Sequence, residues 1–371
     1  MTSVASKSEI DPARDQEAAP RKPRNLVFIC DGTLSSQAKG EETNAGHVWR
    51  LLTELGQTED QKYEYDPGVQ GDGWRKWLNA ASGMGVNVSI CRGYAFLASH
   101  YRPGDRIFLL GFSRGAYAVR SLAGMIGAIG LLKSNYATER YVRLAFRYYE
   151  VGSNSMARRH FSQHRCHTDT EIEMLGIWDT VKSLGLPYPL INRLAPMATE
   201  FHDDQLGRHI RHGYHALAID EDRRSYRPLL WSRSQDWQGR LEQVWFPGAH
   251  GDVGGEVRTF PAARPLANIS LNWMLRRARM CNLRLPDGWD ERFPENPAAP
   301  MMGCRSGVAR LFVSRQPRRV GHRDGEGVHS SVQARKDAVP SYRPRARGLA
   351  EPAIDQPDLE TRSTQADLPG V

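Results

Sequence analysis

The chain has 371 residues, of which 40% are hydrophobic and 25% are charged, so it is long enough and apolar enough to bury a sizeable core. It contains no run of roughly 20 apolar residues, and we therefore expect no membrane-spanning helix. Residues 1–24 lack the apolar run of a secretory signal, so the sequence predicts a disordered leader and a cytoplasmic protein without a signal peptide.

The formal net charge of +8 is unevenly distributed along the chain. Residues 315–347 hold nine Lys or Arg against three Asp or Glu and supply most of the excess. No zinc-finger or Gly-Phe-rich pattern accompanies this stretch, so we expect no nucleic-acid partner. A solvated basic face, or a weak peripheral attraction to anionic membrane lipids, is the favoured interpretation.

The cysteine pattern argues against a disulfide framework or a zinc site. The five cysteines show no C-x-x-C spacing, and they are Cys30, Cys91, Cys166, Cys281 and Cys304. An odd number of scattered thiols is typical of a reducing compartment.

Four short apolar segments predict buried strands of a parallel sheet that is covered on both faces. They are Asn25–Cys30, Arg106–Leu110, Glu173–Trp178 and Glu242–Phe246. Helices are predicted between them, near His47–Leu55, along the face of Ile90 to Leu97, and from Val119 to Ile129. This alternation predicts an α/β fold with a mainly parallel sheet and right-handed crossovers.

The remaining segments complete the predicted domain organisation. Residues 187–237 mix His, Arg, Trp and Pro without clean periodicity, and we interpret them as a helical or irregular cap over one edge of the sheet. Residues 349–371 are rich in Pro, Asp and Glu and predict a disordered tail. A single domain is therefore expected over residues 25–348.

The segment Gly111-Phe112-Ser113-Arg114-Gly115 carries the strongest chemical signal. It lies between a predicted buried strand and a predicted amphipathic helix, which is the context that a nucleophile elbow requires. The strained turn needs small neighbours, and both positions two residues from Ser113 are glycine. The Arg114 backbone N–H, at the start of the helix, is placed to stabilise an oxyanion. A plain glycine-rich turn is the alternative.

A serine nucleophile needs a base, and the base needs an orienting acid. In the α/β-hydrolase fold the chain order is Ser, then Asp or Glu, then His. Asp179 and His250 follow two predicted strands in that order, so we predict them as the acid and the base. Asp252 and His329 are the rivals, although Asp252 is better explained by hydrogen bonds within its own loop. Asp179 as a helix N-cap and His250 as an ordinary loop histidine are the structural alternatives.

Asp31-Gly32-Thr33, after the first strand, invites comparison with phosphatases that use an aspartyl nucleophile in a D-x-D-G-T motif. The first Asp of that motif is replaced here by Ile29, so the nucleophile is absent. We predict instead that Gly32 or Thr33 supplies a second oxyanion N–H, or that this loop supports the oxyanion site.

A histidine cluster raises the question of a metal, and it comprises His202, His209, His212 and His215. If these residues lay on one α-helix, the last three would spread over about 120° and would not converge on one ion. We therefore expect surface or cap packing, and no metal or cofactor.

Several motifs together resemble an uncharacterised bacterial family associated with the catalytic domain of type VI secretion phospholipase effectors, which are lipolytic α/β-hydrolases. They are Phe28–Thr33, Pro103–Asp105, Gly111–Tyr117, Gly176–Val181, His215–Glu221, Trp245–Gly255 and Gly325–Val332. The resemblance covers about residues 25–348. It implies that Ser113 is the nucleophile, Asp179 the acid and His250 the base, and that phospholipid is the substrate. It also implies type VI export with a secretion or immunity partner if the chain is an effector.

These observations predict a serine hydrolase that cleaves carboxylic esters through an acyl-enzyme. An esterase or thioesterase acting on a small soluble substrate is the alternative within enzymes. A catalytically idle interaction module on a hydrolase scaffold is the alternative from another class, and the intact Ser113, Asp179 and His250 count against it.

Overall fold

The computed structural model describes residues 21–32, 40–68, 84–181, 205–234, 236–258, 260–305 and 314–348. Several sequence predictions fall outside these ranges. They concern residues 1–20 of the leader, Thr33, residues 187–204 of the cap with His202, and the tail from residue 349.

Seven strands of the described residues form one sheet in the order β2-β1-β3-β6-β7-β8-β9, and every neighbouring pair is parallel. They are β1 (Asn25–Cys30), β2 (Gln61–Asp66), β3 (Arg106–Phe112), β6 (Ile172–Trp178), β7 (Ile210–Ala218), β8 (Arg240–Phe246) and β9 (Glu326–Val328). Two short strands, β4 (Leu131–Leu132) and β5 (Cys166–His167), form a separate antiparallel pair.

Helices cover both faces of the sheet, as expected when strands are apolar along their whole length. The described helices are α1 (Asn44–Leu55), α2 (Met84–His100), α3 (Arg114–Ile129), α4 (Glu139–Val151), α5 (Met156–Arg165), α6 (His250–Gly254), α7 (Arg264–Met280) and α8 (Ser331–Ala338). Among the described residues, α2, α3 and α4 share one core with Leu26, Phe28 and Leu109, whereas α1 and α7 share another with Val27 and Leu110. Alternate residues of β1 and β3 therefore point into opposite cores.

The four apolar segments predicted as strands are β1, β3, β6 and β8, which confirms the α/β architecture. Five further strands of the described residues were not predicted, namely β2, β7 and β9 of this sheet and the short pair β4 and β5. One of them, β7, lies within residues 187–237, so part of the predicted cap is a central strand of the sheet. Near its beginning Arg211 is exposed and His212 is half-buried, whereas Gly213 to Ala218 are buried. That mixture hides an otherwise buried strand from a hydropathy pattern.

The assignment of β7 also corrects the prediction for the histidine cluster. His212 and His215 lie on a strand and not on a helix, and because side chains alternate along a strand they point to opposite faces. His209 precedes the strand and its Nε2 contacts the carbonyl oxygen of Ala123 at 2.8 Å.

The described helices include none that is long and apolar enough to cross a bilayer.

Candidate active site

The predicted site residues follow strands at one edge of the sheet. Gly32 comes after β1, Ser113 after β3, Asp179 after β6 and His250 after β8. The chain runs from β1 outward to β2 and then returns to β3 on the other side of β1. Such a reversal opens a crevice at the carboxyl ends of the two strands, where open α/β sheets place their sites.

Ser113 occupies a strained turn between β3 and α3. Its backbone has φ 57° and ψ −118°, a conformation that a residue with a side chain rarely adopts. Its N–H donates to the carbonyl oxygen of Trp178 at 3.0 Å, which ties the turn to β6. A Cβ on Gly111 would lie 2.7 Å from the Gly115 carbonyl oxygen, and a Cβ on Gly115 would lie 2.0 Å from that of Cys30. The turn therefore requires glycine at both positions.

Asp179 is completely buried at the end of β6, also with positive φ (40°). Its Oδ1 accepts a hydrogen bond from the backbone N–H of Ala218 at 3.0 Å, and its Oδ2 lies 2.6 Å from Nδ1 of His250. Burial alone would raise the pKa of this carboxyl group. The Arg318 charge and the hydrogen bonds from His250 and Arg318 outweigh burial and hold the pKa of Asp179 well below its usual range.

His250 is the first residue of α6 and connects the acid to the serine. Its Nε2 lies 2.9 Å from the Ser113 Oγ, so the three predicted residues form one continuous chain of hydrogen bonds. The ring packs between Phe112 and Tyr226, with centroid distances of 4.9 Å to each. Both ring nitrogens are thereby directed along the line between Asp179 and Ser113.

The two rival residues have other partners. Asp252 accepts hydrogen bonds from the backbone N–H groups of Ala249 at 2.9 Å and Met302 at 2.7 Å. It therefore holds the loop that carries His250, as predicted from its position. His329 stacks on Phe246 and contacts Ser331 Oγ at 2.8 Å through its Nδ1. The histidine that reaches Ser113 is His250.

Arg318 is the residue of this site that the sequence did not reveal. Its guanidinium is buried and contacts both oxygens of Asp179, at 2.5 Å through Nη1 and 2.9 Å through Nη2. It also donates to the carbonyl oxygens of Ala218 at 2.8 Å and Tyr226 at 2.6 Å. A bidentate pair of this kind fixes both the charge and the orientation of a carboxylate.

The predicted oxyanion donors have different surroundings. Arg114 begins α3 immediately after Ser113, so its N–H is the first of that helix. The Gly32 N–H donates to Oδ1 of Asp31 at 2.6 Å and thus already has an acceptor. Asp31 in turn accepts from Thr43 at 2.6 Å and Tyr65 at 2.7 Å, so it anchors the end of β1. Thr33 lies outside the described residues.

Two groups of side chains in the described residues bring possible metal ligands together. They are Glu173, His212 and Cys281, and Glu221, Asp222 and Cys304. In the second group, Arg223 binds Glu221 and Arg315 binds Asp222, so both carboxylates are already neutralised. The hydrogen-bonded chain from Asp179 to Ser113 involves neither group.

A parallel sheet flanked by helices, with the elbow serine at its carboxyl edge, defines the α/β-hydrolase fold. A family model described as the catalytic domain of Tle1-like phospholipase effectors of the type VI secretion system matches residues 24–277. The chain belongs to this family.

Individual relatives are more distant. The uncharacterized protein YEL023C of Saccharomyces cerevisiae is 27% identical in an alignment of 235 residues that covers 56% of this chain and 33% of that protein. A structure of the Tle1 effector bound to the VgrG spike of the type VI secretion system is similar over 68% of this chain and 56% of that chain, with 17% identity and a TM-score of 0.37.

An uncharacterized protein from Pseudomonas aeruginosa is similar over 80% of this chain and 49% of that one, with 14% identity and a TM-score of 0.44. The chain thus spans about a third of the curated relative and about half of each solved chain.

Proposed function

We propose that this protein is a serine hydrolase that cleaves carboxylic esters of phospholipids through an acyl-enzyme. The observation that carries the proposal is the hydrogen-bonded chain from Asp179 through His250 to Ser113, with distances of 2.6 and 2.9 Å. These are the distances that a nucleophile, a base and an orienting acid need for proton transfer.

In the acylation step, His250 Nε2 takes the proton of Ser113 while Oγ attacks the ester carbonyl carbon. The carbonyl π electrons move onto oxygen, and the resulting oxyanion accepts a hydrogen bond from the Arg114 N–H. When the tetrahedral intermediate collapses, the C–O bond to the alcohol breaks and His250 returns its proton to the departing oxygen. Water then repeats the sequence on the acyl-enzyme, releases the fatty acid and restores Ser113.

Asp179 remains ionised throughout this cycle in the proposed mechanism. Its low pKa, caused by Arg318 and His250 against the opposing effect of burial, supports this role. The carboxylate holds His250 in the tautomer with the proton on Nδ1, leaving Nε2 to accept the serine proton.

Phospholipid as the substrate is supported by membership of a phospholipase effector family. We extend the same family argument to export through a type VI system, with a secretion-spike protein and an immunity protein as partners. We also propose that the basic stretch of residues 315–347 contacts anionic membrane lipids during substrate capture.

The decisive experiment measures fatty acid release from phosphatidylglycerol vesicles together with labelling by a fluorophosphonate probe. The wild-type protein should do both. Ser113→Ala and His250→Ala should lose both by several orders of magnitude, because neither variant can form an activated nucleophile.

Two matched variants control for indirect effects. Ser121→Ala removes another buried serine of α3, and His329→Ala removes the rival histidine; both should keep most of the labelling. Residual activity in Ser113→Ala above about a tenth of wild type, a loss of less than about 1.4 kcal/mol, would refute the nucleophile. Cleavage of short soluble esters without any release from vesicles would support a small-substrate esterase instead.

A further inference from the structure

Arg318, which holds the proposed acid Asp179, also lines a cavity of about 240 Å³. Five arginines line it, namely Arg223, Arg224, Arg227, Arg318 and Arg319. We call it the arginine cavity. Buried Trp245 and Leu230 also line it, whereas Arg224, Arg227 and Arg319 are exposed and therefore accessible to a ligand from solvent.

Only two of the five guanidinium groups are neutralised by carboxylates of the described residues. Arg223 pairs with Glu221 at 2.7 Å, and Arg318 pairs with Asp179. In the part of the chain that the structure describes, the side chains of Arg224, Arg227 and Arg319 form no ion pair with any carboxylate. The arginine cavity therefore carries about three uncompensated positive charges.

The backbone holds these like charges together. The Arg224 N–H donates to the carbonyl oxygen of Ser314 at 3.0 Å. The backbones of Arg223 and Arg315 pair in an isolated antiparallel β-bridge. The backbone of Arg319 pairs with that of Arg347 in a parallel β-bridge. Two segments that are distant in sequence are thus clamped side by side, although the repulsion among their guanidinium groups opposes this arrangement.

We propose that the arginine cavity binds a phosphate-bearing anion. A phosphate group offers several charged oxygen acceptors to guanidinium groups that approach from different directions, and arginine binds phosphate oxygens with two parallel N–H donors. The phosphate belongs either to a lipid headgroup or to a soluble phosphate. Arg224, Arg227 and Arg319 take no part in the acyl-transfer chemistry proposed above, so anion binding by these three residues stands independently of that proposal.

The test compares two triple variants with the same net charge. Arg224→Gln, Arg227→Gln and Arg319→Gln remove the uncompensated charges of the cavity. Arg140→Gln, Arg147→Gln and Arg159→Gln remove three exposed arginines of α4 and α5 that do not line it. Calorimetric titration with inorganic phosphate at low salt should show binding to wild type, at least about tenfold weaker binding to the cavity variant, and a change below about twofold in the control.

A second arm identifies the source of the phosphate. Sedimentation with vesicles of equal phosphatidylcholine and phosphatidylglycerol is measured in the Ser113→Ala background, so that lipid is not consumed. Loss of vesicle binding in the cavity variant alone assigns the site to a headgroup; loss of phosphate binding with unchanged vesicle binding assigns it to a soluble phosphate. The proposal would be overturned if both triple variants lost binding equally. It would also be overturned if the cavity variant kept both its phosphate binding and its vesicle binding.

Discussion

At the scale of single residues, Arg318 stabilises the buried carboxylate of Asp179. A carboxylate that is completely buried costs several kcal/mol unless a counter-charge and hydrogen bonds replace its water. Arg318 supplies both, and its two further bonds to backbone carbonyl oxygens keep its own guanidinium satisfied. We infer that Arg318 is a positioning residue, since it acts through Asp179 and not on the substrate.

Arg318→Met should destabilise the protein by about 3–5 kcal/mol, because a buried charge then loses its partner. The pKa of Asp179 should rise, since burial would no longer be opposed by the Arg318 charge. The acidic limb of the pH profile of kcat/KM should therefore move to higher pH. Arg318→Lys should restore part of the shift, because it returns the charge without the bidentate geometry.

Arg335→Met provides the control for that measurement. Arg335 is also buried, but it donates to the backbone carbonyl oxygens of Pro297 and Ala299. Its loss should lower stability and leave the position of the acidic limb unchanged. An unshifted profile in Arg318→Met would show that Arg318 is structural only.

At the scale of elements, the site depends on how closely the beginning of α3 approaches the end of β1. Gly115→Ala places a Cβ 2.0 Å from the carbonyl oxygen of Cys30, a contact that only a backbone shift can relieve. The shift must move the turn that carries Ser113. We expect at least about a hundredfold slower labelling by the fluorophosphonate probe, since misplacement by about 1 Å costs that much.

Gly124→Ala is the matched change in the same helix. There the one contact below 3.0 Å is with the Tyr149 hydroxyl, at the end of a side chain, so a small adjustment accommodates the methyl group. This variant should label at close to the wild-type rate. Equal labelling rates in the two variants would rule out a special role for the close approach at Gly115.

Sequence reasoning found the strands whose residues are apolar throughout. It missed β2, because Gln61–Asp66 lies at a sheet edge and is mostly polar, and it missed β9, because three residues are too short to show periodicity. For β7, the polar residues at its beginning interrupt the apolar pattern, so the sequence predicts a cap there and not a strand.

The candidate site was predictable where a residue follows an apolar strand. Ser113, Asp179 and His250 each stand at such a point, and the structure brings them into contact. Arg318 had no comparable signal. It lies in a basic stretch far from Asp179 in sequence, and only the folded chain distinguishes it from its neighbour Arg319.

At the scale of the whole molecule, His215 links stability to pH. It is completely buried on β7 and its Nε2 accepts a hydrogen bond from the Thr180 N–H at 3.3 Å. Burial, with the Arg120 and Arg318 charges, lowers its pKa from 6.5 to about 3. Between these two values the unfolded chain binds a proton that the folded chain does not.

The free energy of unfolding should therefore fall as the pH drops below about 6.5, by about 1.4 kcal/mol per pH unit from this residue. In His215→Gln this contribution should disappear, while the amide oxygen still accepts from Thr180. Urea unfolding between pH 4 and 7 measures the slope. Removal of the exposed His164 should leave it unchanged, and an unaltered slope in His215→Gln would contradict the assignment.

The position of Arg318 in the chain also has a consequence for biosynthesis. The family match ends at residue 277, and Ser113, Asp179 and His250 all precede that point, whereas Arg318 and β9 follow it. A ribosome releases the chain from its N-terminus, and earlier parts fold first. Until Arg318 docks, its charge does not oppose the effect of burial on the pKa of Asp179, and this favours the protonated form. In the proposed mechanism that form cannot support His250 as a base. Under the proposed assignment, the nascent chain would carry Ser113 well before Asp179 has its counter-charge, and synthesis of the segment with Arg318 would activate the site.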